Sequence, residues 1–221
     1  KKMKRLPVFL LILVAGIALA ASPHDYFLMP EHFFMHKGEK INLHLLMGDQ
    51  FVKQEEIKYD PKKIVNFELY EGNKKTDLTK FARVNDSSLV NYTVDKTGQA
   101  LIAMSTGIEY NDASRDIYAD YLNQQGYDKL AEQVKSHNQF RIKEKCTRYV
   151  KTLFSVDDHD GDDYRKNLKQ DFEIILEDNP YKKRFGEDLT AQLKFKDKPV
   201  NGATISLYIK SISGNVYVHS Q

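Results

Sequence analysis

The strictest constraint on this chain is a two-residue hydrophobic period that recurs in short runs. Ile41, Leu43 and Leu45 alternate with Asn42 and His44, and Val65, Phe67 and Leu69 repeat the pattern. Leu89, Asn91 and Thr93 alternate with Val90, Tyr92 and Val94, and Leu189, Ala191, Leu193 and Phe195 alternate with polar residues. Successive side chains on a strand point to opposite faces, so each run presents one apolar face that another layer must cover. Gly48-Asp49, Gly72-Asn73 and Gly98 punctuate the runs. Further strand-like stretches fall at 100–106, 148–156, 171–176 and 204–210. Short strands separated by turn signals predict a mainly β fold, an antiparallel β-sandwich.

One segment breaks the period. Between Ser114 and His137 there is no proline, and apolar residues fall at Ile117, Tyr118, Tyr121, Leu122, Leu130, Ala131 and Val134. Spacings of three, four and seven predict an amphipathic helix or helical hairpin near 114–137, interrupted at Gly126, with Ser114 as its N-cap and Asp116 in its first turn. The expected organisation is a signal peptide over 1–20 and a first β-sandwich over 21–156 carrying the helical insertion. An acidic linker over 157–168 and a second β-sandwich over 169–221 follow. About 100 residues make an immunoglobulin-like sandwich. The stretch 169–221 is about half that, so the second, immunoglobulin-like or transthyretin-like sandwich is expected to be incomplete and truncated.

Charge bears on where the protein works. The formal net charge is +2, but Lys1, Lys2, Lys4 and Arg5 all precede an apolar run from Leu6 to Leu19. Residues 1–20 hold no acid, and without them 29 basic residues face 31 acidic ones, a net charge of −2. That balance offers no footprint for a phosphate backbone, so nucleic acid is not an expected partner. The basic start, the apolar stretch and Ala18-Leu19-Ala20 together read as a secretory signal. An apolar run of 14 residues falls short of the roughly 20 that span a bilayer. We therefore expect a periplasmic or secreted bacterial protein with no membrane span once the signal is removed.

The single cysteine, Cys146, cannot staple its own chain and is expected to pack as a small hydrophobe at a strand entry. The run from Asp157 to Asp163 suggests a calcium loop, but with Gly161 at the sixth position Val156 stands where an oxygen ligand is required and Asn167 where a glutamate is. It reads instead as a solvated linker.

The stretch His24-Asp25-Tyr26-Phe27-Leu28-Met29-Pro30, then Gly38-Glu39 and Leu45-Leu46-Met47-Gly48-Asp49, resembles the opening of the domain-of-unknown-function 4198 family. Tyr121 to Tyr127 and Glu144 to Leu153 match its pattern, as do Leu176 to Tyr181 with Gly186, Leu189-Thr190, Lys198-Pro199 and Gly202-Ala203. The resemblance implies an exported, mainly β module, since such proteins are often catalogued as a periplasmic component of nickel or cobalt transport. An envelope metal-uptake system, or another envelope protein, would be the partner.

Four histidines, His24, His32, His36 and His44, fall within 21 positions, with Met29, Met35 and Met47 interleaved. Neutral imidazole suits nickel and cobalt. His24 and Asp25 sit on recurrent positions of the family, whereas His32 and His36 do not; four residues apart, they would share a face only on a helix. If cleavage follows Ala21, His24 becomes the third residue, but Pro23 lacks the amide proton that an amino-terminal square-planar chelate requires. The metal candidates are therefore His24 and Asp25, then His32 and His36, with Ni2+ or Co2+ as the ion; hydrogen-bonded anchoring of the first strand is the structural alternative for the first two. Glu144, Arg148, Tyr149 and Lys151 read either as a cluster gripping a carboxylate or phosphate, or as an Arg–Glu pair anchoring a strand. Neither a Gly-x-Ser-x-Gly elbow, a His-Glu-x-x-His pair nor a phosphate loop is present, so no enzyme is expected. The expected function is a periplasmic binding accessory of nickel or cobalt uptake; the alternative is a structural, protein- or glycan-interacting module of the envelope.

Overall fold

Where the two-residue period falls, the computed structural model, which describes residues 25–49, 51–210 and 216–220, mostly forms strands. The expected signal segment 1–20 and His24 lie outside the described residues. In chain order the strands are β1 (Asp25–Pro30), β2 (Phe34–Met35), β3 (Leu43–Asp49), β4 (Val52–Ile57), β5 (Ile64–Glu71), β6 (Lys74–Asp77) and β7 (Gly98–Thr106). Then come β8 (Glu109–Ser114), helices α1 (Arg115–Gln124) and α2 (Asp128–Ser136), β9 (Arg141–Cys146) and β10 (Tyr149–Val156). The last are β11 (Phe172–Leu176), β12 (Ala191–Phe195), β13 (Lys198–Pro199), β14 (Ser206–Lys210) and β15 (Val216–Ser220). The fold is mainly β, in several antiparallel sheets.

The described chain divides into two compact units, Ile108–Cys146 and the remainder. In the larger unit, a three-stranded sheet ordered β1-β3-β4 and a five-stranded central sheet ordered β2-β10-β7-β5-β6 share one core. Leu28, Leu43 and Leu45 from the first meet Phe67, Leu69, Ile102, Met104 and Phe154 from the second, all buried. These are the apolar phases of the alternating strands, which is why the same residues recur on one face. Within the central sheet β2 runs parallel to β10, and the other pairings are antiparallel. A third sheet, β11-β12-β13, and the hairpin β14-β15 follow in the chain.

One expected strand is absent as a ladder. Val90 and Val94 are buried as the alternation requires, and Leu89 of the opposite phase is buried too, yet residues 89–94 form only isolated bridges, Ala82 with Val90 and Lys40 with Thr93. The segment divides its hydrogen bonds between neighbours on two sides: Leu89 N–H donates to Leu43 O at 2.8 Å, and Asn91 N–H to Phe81 O at 2.9 Å. Apolar phase records burial, not continuous pairing with one partner.

Gly48, read as part of a turn, instead lies inside β3, where the register with β4 shifts between Met47 and Gly48. A Cβ at Gly48 would stand 1.8 Å from the carbonyl oxygen of Val52, so this bulge admits no side chain.

The smaller unit is the helical hairpin, mounted on the two-stranded β8–β9 ribbon. Ser114 caps α1 by accepting from the Ile117 N–H at 3.4 Å, and Gly126 takes φ +80° between the helices. Ala119, Leu122 and Ala131 are its buried residues, with Tyr118, Tyr121 and Val134 packed around them. Cys146, expected at a strand entry, ends β9 half-buried.

The acidic stretch after β10 is exposed from Asp157 to Asp162 and anchored at its end by Asp163. Asp163 is 2% exposed. Its carboxylate accepts from the Gly72 N–H at 2.9 and 3.1 Å and from Lys166 Nζ at 2.7 Å, while Lys166 Nζ also reaches Gly72 O at 2.6 Å. Gln99 N–H donates to Asp160 O at 2.8 Å, and Gly98, at φ +102°, leaves no room for a Cβ beside that oxygen. A buried carboxylate is tolerated when it is paired and hydrogen-bonded: Lys166 supplies the charge partner and the β5–β6 turn the N–H.

Candidate functional site

Strand β10 presents two faces. Val150, Phe154 and Val156 enter the core, so Tyr149, Lys151 and Leu153 project from the opposite face of the central sheet. The segment from Tyr164 to Leu176 crosses that outer face and leaves a cleft on each side. One, of about 390 Å³, is largely apolar, walled by Phe27, Phe51, Leu101, Leu153 and Phe172. The other, of about 400 Å³, is polar, with Asn66, Glu68, Tyr70, Ser105, Thr106 and Thr147 among its lining residues. Tyr149 and Gln170 line both. Such volumes fall within the roughly 300–1,000 Å³ of small-molecule sites.

The bridging segment is held by one buried ion pair. Lys151 Nζ donates to Glu173 Oε1 and to the carbonyl of Ile174 at 3.2 Å; Glu173 Oε1 also accepts from the Leu168 N–H at 2.8 Å, and Oε2 from the Gln170 N–H at 3.3 Å. The side chains are 17% and 1% exposed. Burial pulls the Lys151 ammonium below its usual range, opposed by the Glu173 carboxylate. Lys169, at φ +56°, carries the turn between these contacts. Burial and the nearby Asp171 raise the pKa of Tyr149. Arg148, immediately before Tyr149, lays its guanidinium over the Tyr26 ring at 4.3 Å from the centroid. In the smaller unit, Glu144 accepts from Asn111 Nδ2 at 3.1 Å.

A second junction joins the edge of the central sheet to the segment after β11. The Tyr181 hydroxyl lies 3.2 Å from Phe33 O and 3.1 Å from Leu153 O, and burial pushes its pKa up to about 12. Its ring stacks on His159 at 4.9 Å, and His159 Nδ1 is 2.9 Å from Ser155 Oγ. Ser155 is fully buried, so this serine–histidine contact is an internal fastening and not an accessible nucleophile.

The metal candidates separate. Asp25 opens β1, exposed and opposite Gly48, while its expected companion His24 lies outside the described residues. His32 is exposed in the loop before β2. His36 follows β2, so the stretch is extended and the helical spacing that would align His32 with His36 does not apply. His36 Nδ1 is instead 2.7 Å from Asp157 Oδ1, whose other oxygen accepts from the Lys37 N–H at 3.1 Å. The hydrogen bond to Asp157 raises the His36 pKa and lowers that of the aspartate. His44 is 19% exposed and bonded through Nδ1 to Glu56 at 2.8 Å. Among the described residues no three histidine, cysteine, aspartate or glutamate side chains converge to hold a metal.

Glu173, Gln170, His159 and Tyr181 were not singled out as site residues from the sequence. Tyr181 had a signal, because it closes the Asn179-Pro180-Tyr181 turn in which Asn179 Oδ1 accepts from the Tyr181 N–H at 3.0 Å. Glu173 had none, since nothing in a strand's alternation names its partner.

The fold is mainly β, with two clefts beside one bridging segment. The family model described as Domain of unknown function (DUF4198) matches residues 21–217, and the chain belongs to that family. No curated protein and no solved structure matches the chain. Among the described residues no helix is long and apolar enough to cross a membrane.

Proposed function

We propose that the chain is an exported binding module of the bacterial cell envelope, and that the paired clefts beside residues 168–171 receive its ligand. The single observation that carries this reading is that Tyr149 and Gln170 belong to both clefts, on a face of the central sheet that the core does not use. Sites of this kind combine a rigid scaffold with a few polar groups in a concave wall. In this reading the first and central sheets form a sandwich, and β11 to β15 belong to an immunoglobulin-like second one. Export rests on the basic and apolar amino-terminal segment. A thermal-shift screen of the full chain against small molecules extracted from the envelope tests the binding role. Stabilisation abolished by Tyr149→Ala supports it, and the absence of any stabilising compound counts against it.

The nickel or cobalt reading is favoured by the adjacency of His24 to Asp25, which is exposed at the head of β1. It needs donors beyond those described. Calorimetric titration with Ni2+ and Co2+ decides it: affinity no tighter than about millimolar, or unchanged by His24→Ala, removes it.

A further inference from the structure

The polar cleft differs from its neighbour in chemistry. Its charged groups balance: Glu68 and Asp171 are matched by Lys75 and Lys169, and Lys75 Nζ lies 2.6 Å from Glu68 Oε1. An ion entering it therefore finds no surplus of opposite charge. What remains are hydroxyl and amide groups. Asn66 Nδ2 donates to Ser105 Oγ at 3.0 Å, which leaves the second amide hydrogen and the carbonyl uncommitted by that bond. Thr106 Oγ1 accepts from the Arg148 N–H at 3.0 Å and keeps its own hydrogen to donate. Tyr70 donates to Glu68, and Tyr149 adds an aromatic ring to the lining.

The decisive group is Gln170. Its Oε1 is sealed from solvent and has no hydrogen-bond partner among the described residues, although the side chain lines the cleft. A buried acceptor left unmade is costly, and turning the Gln170 amide into the cleft would let a ligand O–H or N–H donor supply the missing bond.

We propose that this cleft takes a neutral, hydroxyl-rich ligand of the saccharide class, hydrogen-bonded by Asn66, Thr106 and Gln170 and stacked against Tyr149. The proposal rests on the binding-module reading and names the ligand chemistry for one of its two clefts. Alternating donors and acceptors on a sugar ring match a wall of amides and hydroxyls, and its C–H face matches an aromatic ring. A charged metabolite would leave its charge unpaired in a cleft whose own charges cancel.

The test is titration of the full chain with glucose, N-acetylglucosamine and maltose, followed by ligand-observed NMR and calorimetry. The expected result is binding of at least one probe with a Kd of about millimolar or tighter, weakened roughly tenfold by Asn66→Ala and by Gln170→Ala. Melting temperatures of the variants verify folding, and Tyr149→Phe, which keeps the ring, retains the stacking component if Gln170→Ala fails to fold. No binding of any of the three sugars overturns the proposal, as does binding unchanged in every folded variant. If the envelope-extract screen still returns a Tyr149-dependent ligand while the sugars fail, the saccharide assignment falls and the binding-module reading stands. If both fail, both fall.

Discussion

Lys151 on β10 and Glu173 on β11 form an ion pair across the outer face of the central sheet, with Glu173 also holding the N–H groups of Leu168 and Gln170. One carboxylate thereby fastens the bridging segment that separates the two clefts. Removing a single partner leaves an uncompensated buried charge. Lys151→Met or Glu173→Leu alone should cost about 3–5 kcal/mol in urea denaturation, whereas the double replacement should recover most of that loss. Additive losses in the double variant would show that the pair is not coupled.

The Tyr181 hydroxyl joins the segment after β11 to carbonyls on two other parts of the chain, Phe33 and Leu153. Tyr181→Phe keeps the stacking on His159 and deletes only the hydroxyl, so the expected destabilisation is about 1–2 kcal/mol. Hydrogen exchange at the Phe33–Met35 edge should accelerate in the same variant. Unchanged exchange there would disconnect Tyr181 from that edge.

His36 has a folded pKa above its ordinary value of 6.5, because Asp157 accepts its ring proton. A group raised in this way contributes its stabilisation fully below the unfolded value and loses it as pH rises through the folded one. NMR titration of the imidazole should place its midpoint above 6.5, and Asp157→Asn should return it toward about 6.5. A midpoint indifferent to that substitution would mean the contact does not persist in solution.

Gly48 sits where the backbone of β4 approaches most closely, with Val52 O only 1.8 Å from the position a Cβ would take. Gly48→Ala must push the strands apart, and a loss of more than about 2 kcal/mol is expected, beyond the roughly 1 kcal/mol of an ordinary point substitution. A melting curve that matches the parent protein would show that the bulge can relax.

The local architecture was legible in the residue order. Alternation marked inward residues of β3 and β5, and Ser114 and Gly126 marked the start and the break of the helical hairpin. These are short-range effects: side-chain direction, capping and backbone freedom act over a few residues. What only the tertiary structure decided is which faces and charges meet. Asp163 binds Gly72 across 91 positions, His36 binds Asp157 across 121, and Lys151 meets Glu173 across 22. That long-range pairing took His36 for Asp157 and His44 for Glu56, and it anchored a stretch that reads as a free acidic linker. It also made the clefts, because a concavity belongs to two chain segments at once. A period of two states which side of its own strand a residue faces, and carries no record of what lies opposite.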